Sequence, residues 1–399
     1  MVPDFVHPVL LKPIHELLSD VLKTSPVGSP AMIKVMPFPT YPHPTPDCPP
    51  PVAHVPAVPP TQTHWKLPPA RSTVSVTKQS SPPRRTRLMA TLNVTPDSFS
   101  DGSDHTTLQA ALNYATTSAA AGADIIDVGG YSTRPGAAYV SPDEEKNRVV
   151  PVIVSIRASP PPDNTTTTTG KTNAPALISV DTFRPDVARA AILAGANCIN
   201  DVHAFTGPDY PPTAPSASAY FADMKRTARE LGVPVILMHS RGDAGANKDY
   251  SRYDSVLQGV AKELGEKVEA IVRGPGGLRR WLVMVDPGVG FSKSLEGNLQ
   301  VLHESASITA DVRTEDGVWN PLRGYPLLIG TSRKSFLGTI LSQPDEDTTY
   351  LGRQTTPKER GWATAAAVTC AVQQGAAVVR VHDIPELGDV VRVADAIWS

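Results

Sequence analysis

The sequence has little of what would place it outside the ordinary globular proteins. It contains only three cysteines, Cys48, Cys198 and Cys370, which lie too far apart for a zinc motif or a disulfide framework. No apolar run reaches about 18 residues, the length that a membrane-spanning helix needs. The formal net charge of -2 gives no reason to expect nucleic acid as a partner. These absences indicate a globular protein of a reducing compartment, without a membrane span.

The N-terminus has the features of neither a signal peptide nor a transit peptide. Acidic residues come early, at Asp4, Glu16 and Asp20, whereas transit peptides are poor in acids and rich in arginine. We therefore expect a cytoplasmic protein, with the mitochondrion as the alternative location.

Proline divides the chain into two parts. Residues 1–86 contain 20 of the 41 prolines, and between residues 21 and 86 the only acidic residue is Asp47. Because proline cannot donate a backbone hydrogen bond, this stretch is predicted to be an extended, largely irregular linker. One exception is 7–22, whose apolar residues have helical spacing. The predicted folded domain covers residues 87–399.

In the second part, short apolar runs alternate with amphipathic helical segments. Runs that are apolar on both faces are typical of parallel strands covered by helices. Eight such units predict an α/β fold, a closed (β/α)8 TIM barrel. An open doubly wound sheet is the alternative, but it usually has a glycine-rich turn after its first strand, where this chain reads NVTPDSFSDG. The predicted strands are 87–93, 124–129, 176–181, 197–201, 234–239, 281–286, 326–330 and 377–382. The predicted helices lie around 107–121, 142–157, 184–194, 219–231, 253–272, 295–306, 358–374 and 385–397. Insertions at 157–175, 207–218 and 342–357 look like disordered surface loops.

Polar side chains recur at the predicted carboxyl ends of the strands, where barrel enzymes carry their chemistry. Any one of them could be structural; Asp181, for example, could cap the helix that follows. A purely structural barrel, however, has no need to gather such residues at one rim. Carboxylates and amides there could bind a flat heterocycle with N–H donors, and Arg380 and His382 could bind a polyanion. The set consists of Asn93, Asp127, Asp181, Asn200, Asp201, His239, Asp286, Lys334, Arg380 and His382.

Seven segments, in order from Arg87 to the C-terminus, resemble the dihydropteroate synthases. They are LNVTPDSFSDGS (92–103), DIIDVGGYSTRPGA (124–137), ISVDTFRP (178–185), NCIND (197–201), VDPGVGFSK (285–293), GTSRKSFLG (330–338) and VVRVHD (378–383). The resemblance implies a transferase of folate biosynthesis. Its substrates would be a dihydropterin diphosphate and para-aminobenzoate, with Mg²⁺ on the diphosphate. It also implies a homodimer and a target for sulfonamides.

The resemblance carries roles onto individual residues. It implies that the pterin is bound by Asp127, Asp181, Asn200, Met238, Asp286 and Lys334. It places the diphosphate on Asn93, Thr133, Arg134, Arg380 and His382, with the metal on Asn93, and the aminobenzoate on Phe99, Pro135 and Ser335. The expected catalytic residues are Asn93, Asp97, Lys334 and Arg380. In the family's dissociative reaction, carboxylates stabilise a transient methylene cation, while arginine and magnesium stabilise the leaving diphosphate.

Some positions depart from the family pattern. Tyr131 lies where bacterial members usually have Glu, Ser240 replaces a Met, and Ser103 replaces a Gly. The segment 7–22 resembles the end of the pterin pyrophosphokinase domain that precedes the synthase in fungal multifunctional folate proteins, so other folate-synthesis domains are expected as partners.

Two other functions remain to be weighed. A methyltetrahydrofolate-dependent methyltransferase domain would share the carboxylates but does not need the SRKS and RVHD segments. A non-catalytic pterin-binding scaffold would be expected to lose polar residues at the rim, and none is lost.

Overall fold

A computed structural model describes residues 85–94, 104–132, 138–159, 176–212, 215–313 and 317–398. Within these residues eight parallel strands form one sheet in the order β6-β5-β4-β3-β2-β1-β8-β7. The strands are β1 (Arg87–Asn93), β2 (Ile125–Gly129), β3 (Leu177–Asp181), β4 (Cys198–Asp201), β5 (Val235–Met238), β6 (Val283–Asp286), β7 (Leu328–Ile329) and β8 (Val378–Val381). A parallel bridge between Val285 and Leu327 joins the two ends of the sheet. The sheet is therefore a nearly closed barrel, as predicted.

Helices alternate with the strands and surround the barrel. They are α1 (Asp104–Ala120), α2 (Pro142–Ala158), α3 (Pro185–Leu193), α4 (Pro215–Leu231), α5 (Val256–Val272), α6 (Leu295–His303), α7 (Ser305–Ile308), α8 (Ser335–Ser342), α9 (Gly361–Gln373) and α10 (Ile384–Trp398). Serine side chains begin three of them: Ser141, Ser255 and Ser294 each accept a backbone N–H from the first turn. No helix in the described part of the chain is long and apolar enough to cross a membrane.

Alternation along each strand separates two apolar layers. Because successive side chains point to opposite faces, Ile126 and Ile178 join the layer between barrel and helices, whereas Met89 and Ile125 fill the barrel interior. The next interior position along β2 after Ile125 is Asp127, and in β8 Val378 is followed in the same way by Arg380. The barrel thus has an apolar interior that becomes charged at the carboxyl ends of its strands.

Most element boundaries lie within a few residues of the predicted ones, and the differences have local causes. Strand β6 begins two residues late because a 3-10 turn, Arg280–Leu282, comes first. The expected disorder of two insertions is wrong. Helix α4 starts inside 207–218, and the segment 342–357 is held by a backbone hydrogen bond from Asp345 N to Tyr350 O. Residues 1–84, which include the segment 7–22 and nearly all of the predicted linker, and most of the insertion 157–175 lie outside the described residues.

Candidate active site

Arg380 joins two carboxylates at the centre of the rim. Its Nε donates to Asp127 Oδ2 at 2.7 Å, and its Nη2 donates to Asp181 Oδ2 at 2.8 Å. Asn200 Nδ2 donates to the same Asp127 oxygen at 3.0 Å. Side chains from β8, β2, β3 and β4 are therefore in direct contact at the carboxyl end of the barrel, although β1 lies between β8 and β2 in the sheet.

Burial determines the electrostatics of this group. The Asp127 side chain is fully buried, and its Oδ1 accepts no hydrogen bond from any described residue. Burial raises the pKa of Asp181 to about 7, although the charge of Arg380 opposes the rise. One guanidinium thus faces two carboxyl groups, which leaves acceptor capacity for a ligand that brings N–H donors.

Two further charged groups of opposite sign are Asp286, the last residue of β6, and Lys334, which directly precedes α8. Burial raises the pKa of Asp286, and Lys334 opposes that rise; burial also lowers the pKa of Lys334 to about 8, and Asp286 opposes that fall. Lys334 Nζ donates to Val289 O and lies 4.6 Å from the centre of the Phe291 ring. At Gly290 an added Cβ would lie 2.5 Å from Lys334 Cδ, so the absence of a side chain there makes room for the lysine.

The remaining predicted residues in the described part of the chain also lie at the carboxyl ends of the strands. Met238 ends β5, in register with Asp286, and is buried. Asn93 ends β1 and is partly exposed. His382 follows β8, with its Nδ1 3.0 Å from Ser332 Oγ. Ser335 is the first residue of α8 and is exposed.

A magnesium ion fits these residues only as a companion of the substrate. In the described residues no three His, Cys, Asp or Glu side chains gather as metal ligands. The amide oxygen of Asn93 is a suitable hard ligand, and Mg²⁺ commonly takes one or two protein ligands while phosphates and waters supply the rest. The donor set therefore suits a diphosphate-bound magnesium better than a metal enclosed by protein.

Five predicted site residues lie outside the described residues, together with the Ser103 departure. They are Asp97, Phe99, Thr133, Arg134 and Pro135. Their roles stay predictions.

The two described departures, Tyr131 and Ser240, belong to a layer of side chains next to the rim residues. This layer consists of Tyr131, Glu145, Phe183, Arg184, His203, His239, Ser240, Arg241, Glu263 and Lys293. The Tyr131 ring packs edge-on against Phe183, 5.7 Å between centres, and lies 5.1 Å from the Arg184 guanidinium. Ser240 Oγ lies 2.9 Å from His203 Nδ1. Both replacements thus contact other side chains of this layer.

Sequence reasoning missed most of this layer. Arg184 forms a buried ion pair with Glu145, and Glu263 contacts His239 and Arg241. No motif marks Glu145 or Glu263, because each lies inside an amphipathic helix where a glutamate is ordinary. Signals were available for some of its members: Arg184 and Lys293 lie within the recognised segments ISVDTFRP and VDPGVGFSK, and His239 is one of the polar residues at strand ends.

The fold and the rim together define a class of protein. A (β/α)8 barrel with buried carboxylates, an amide and two cations at its carboxyl-end rim is typical of enzymes, and these groups suit a flat ring that carries hydrogen-bond donors and acceptors. The family described as "Pterin binding enzyme" matches residues 89–382. The chain therefore belongs to the pterin-binding enzymes.

Within that family the similar proteins include dihydropteroate synthases and a bifunctional folate synthesis protein. The enzyme of Synechocystis is 36% identical over 315 residues, covering 79% of this chain and 91% of its own. The mitochondrial folate synthesis bifunctional protein of Pisum sativum is 38% identical over 317 residues, covering 79% of this chain and 54% of its own. The solved dihydropteroate synthase of Xanthomonas albilineans in complex with 7,8-dihydropteroate is 34% identical, with a TM-score of 0.57, and covers 78% of this chain and 94% of its own.

Proposed function

We propose that this protein is a dihydropteroate synthase. It joins 6-hydroxymethyl-7,8-dihydropterin diphosphate to para-aminobenzoate, giving 7,8-dihydropteroate and diphosphate in folate biosynthesis. The observation that carries the proposal is the contact of Arg380 with Asp127 and Asp181 at the rim, in a chain 34% identical to a synthase solved with its product.

The pterin ring binds among the buried carboxyl groups. Asp127 Oδ1 and the carboxylate of Asp286 accept from the amino group and ring N–H groups, and Asn200 adds an amide. Lys334, whose charge is opposite to that of the carboxylates, donates a hydrogen bond to an acceptor atom of the ring. Met238 provides an apolar contact beside Asp286.

The reaction requires no protein nucleophile. The bond from the pterin methylene to the diphosphate oxygen breaks, and the aniline nitrogen then forms the new C–N bond and releases a proton. The carboxylates stabilise the methylene cation while it exists. Asp97, which follows β1 in the sequence, adds its negative charge to this stabilisation. Arg380, His382, Asn93, Thr133 and Arg134 hold the leaving diphosphate. Mg²⁺ on Asn93, when bound, neutralises part of the diphosphate charge.

The aminobenzoate carboxylate binds at the start of α8. The first N–H groups of a helix have no internal partners, and the positive end of its dipole favours an anion. The helix has no side-chain cap, and Ser335 is its first residue. Phe99 and Pro135 cover the ring.

The assembly and location follow as further proposals. We assign a homodimer, supported by exposed apolar side chains on α9 and α10, among them Trp362 and Ile397. The location is cytoplasmic, with the mitochondrion as the alternative because the pea relative is named mitochondrial. Other folate-synthesis domains are the expected partners, since that relative is named bifunctional.

Release of diphosphate by the purified full-length chain tests the function. The dihydropterin diphosphate is incubated with Mg²⁺, with and without para-aminobenzoate, and dihydropteroate is measured in parallel. Product that requires both substrates, and that falls in Asp286→Asn, supports the proposal. Pterin binding without product would indicate the scaffold, and methyl transfer from methyltetrahydrofolate would indicate the methyltransferase; either result overturns the synthase.

A further inference from the structure

Lys293 is a buried lysine that the proposed chemistry does not use. Burial lowers its pKa to about 7, and the charge of Asp286 opposes that fall. Its side chain is 4% exposed. Its Nζ donates to Gly288 O at 2.9 Å and to Phe291 O at 3.0 Å. Both carbonyls belong to the loop 287–292, which directly follows Asp286. Because buried N–H donors are costly unless they are hydrogen-bonded, these contacts fix the shape of the loop around the lysine.

A third contact ties the same Nζ to the end of β5. Lys293 Nζ lies 3.3 Å from His239 Nδ1, while the Nε2 of that ring lies 2.9 Å from Glu263 Oε2. An ionised carboxylate can only accept, so the ring proton is assigned to Nε2, and Nδ1 is left as the acceptor for the ammonium. Burial lowers the pKa of His239 to about 3, which keeps the ring neutral.

Glu263 is held in its ionised form. Burial alone would raise its pKa, but hydrogen bonds from His239, Arg241 and Arg252 outweigh burial and hold the pKa well below its usual range. The contacts therefore run without a break from Glu263 through His239 to Lys293.

The loop that Lys293 holds surrounds the pterin-binding pair. Gly288 N donates to Asp286 Oδ1 at 2.7 Å. Val289 O accepts from Lys334 Nζ, and the Phe291 ring lies beside the same ammonium. Movement of the loop would therefore displace Lys334 and turn the carboxylate of Asp286.

We propose that Lys293 is a positioning residue, held by His239 and Glu263, that orients Asp286 and Lys334 for the pterin by fixing the loop between them. This proposal deepens the proposed function and rests on it. Lys293 does not touch the substrates. Its effect should fall on the pterin substrate, because the loop contacts Asp286 and Lys334, whereas the proposed aminobenzoate residue Ser335 lies in α8.

Lys293→Met tests the role because it removes the ammonium and keeps much of the side-chain length. Steady-state kinetics of the full-length chain should give a KM for the dihydropterin diphosphate raised about tenfold, equal to about 1.4 kcal/mol, and a KM for para-aminobenzoate nearly unchanged. The matched control is Lys225→Met in α4, another nearly buried lysine, which donates to Ala270 O. It should change neither KM. An unchanged pterin KM in folded Lys293→Met, or an equal rise of both KM values, would overturn the proposal.

A second pair of variants tests the role if Lys293→Met does not fold. His239→Gln can accept from Lys293 and donate to Glu263, whereas His239→Leu can do neither. We expect the glutamine variant to keep the pterin KM near the wild-type value and the leucine variant to raise it as Lys293→Met does. The same KM in both would contradict the proposal. If the wild type proved inactive, the proposed function would fall, and calorimetric titration of the bare pterin into the same variants would still decide the role of Lys293 from the ratio of affinities.

Discussion

Arg380 and Asp127 are 253 residues apart in the sequence, and the guanidinium Nε of one donates to the carboxylate Oδ2 of the other at 2.7 Å. The second hydrogen bond of Arg380, to Asp181, involves another group assigned to the pterin. Under the proposed function, the arginine would orient the pterin acceptors as well as bind the diphosphate.

Arg380→Ala should lower the affinity for both the diphosphorylated substrate and the bare pterin, and it should destabilise the fold. The diphosphorylated substrate should lose more affinity than the bare pterin, because it loses a direct charge contact as well as oriented acceptors. Breaking a buried ion pair costs about 3–5 kcal/mol, and we expect about 2–4 kcal/mol here because Arg380 is partly exposed. Calorimetry with the two ligands and urea unfolding measure these effects. Arg392→Ala on α10, an exposed arginine paired with Asp389, is the control and should change none of them.

Pterin affinity should depend on pH through Lys334. Burial lowers the pKa of this lysine to about 8, so its ammonium is present below pH 8 and is lost as the pH rises through that value. Affinity for the bare pterin should therefore fall between about pH 7 and pH 9. Lys334→Gln should bind more weakly at pH 7 and should lose the part of the fall that is centred near pH 8, whereas any change caused by Asp181, whose pKa is about 7, should remain. A wild-type profile without a fall near pH 8 would exclude an ammonium donor.

Ser335 gives a test of the aminobenzoate site. Ser335→Phe places a bulky side chain at the first turn of α8, where the carboxylate is proposed to bind. The KM for para-aminobenzoate should rise by about tenfold or more, whereas pterin affinity should stay nearly constant. A sulfonamide should compete with para-aminobenzoate in the wild type and inhibit this variant less. Noncompetitive inhibition by the sulfonamide would place the second substrate elsewhere.

Alanine substitutions at Gly288 and Gly317 give a matched comparison of stability to urea. Both have a positive φ, +68° and +73°, so an alanine at either position meets a similar backbone strain. An added Cβ at Gly288 would lie 2.0 Å from His239 O, whereas at Gly317 no atom lies within 4 Å. Gly288→Ala should therefore be less stable to urea than Gly317→Ala by about 1–3 kcal/mol. Equal losses would show that the loop moves away from β5 without cost.

The sequence predicts the barrel well because its signals are local. Apolar runs such as that of β5, the serine caps and the order of polar residues at strand ends can all be seen in short windows. The contact between Arg380 and Asp181 could not be predicted in this way, because it depends on how far the strands are staggered around the barrel. The connection between Glu263 and Lys293 could not be predicted either, because it passes through His239, which is distant from both in the sequence.

The alternation of side chains along the strands limits where residues can be inserted into or deleted from this protein. Asp127, Asn200, Asp286 and Arg380 come from β2, β4, β6 and β8, and each faces the interior only because side chains alternate along its strand. A one-residue deletion within any of these strands would turn its polar group toward the surrounding helices and bring an apolar side chain into the pocket. Changes of length are therefore confined to the connections between elements, and the long segments 157–175 and 342–357 lie in such connections.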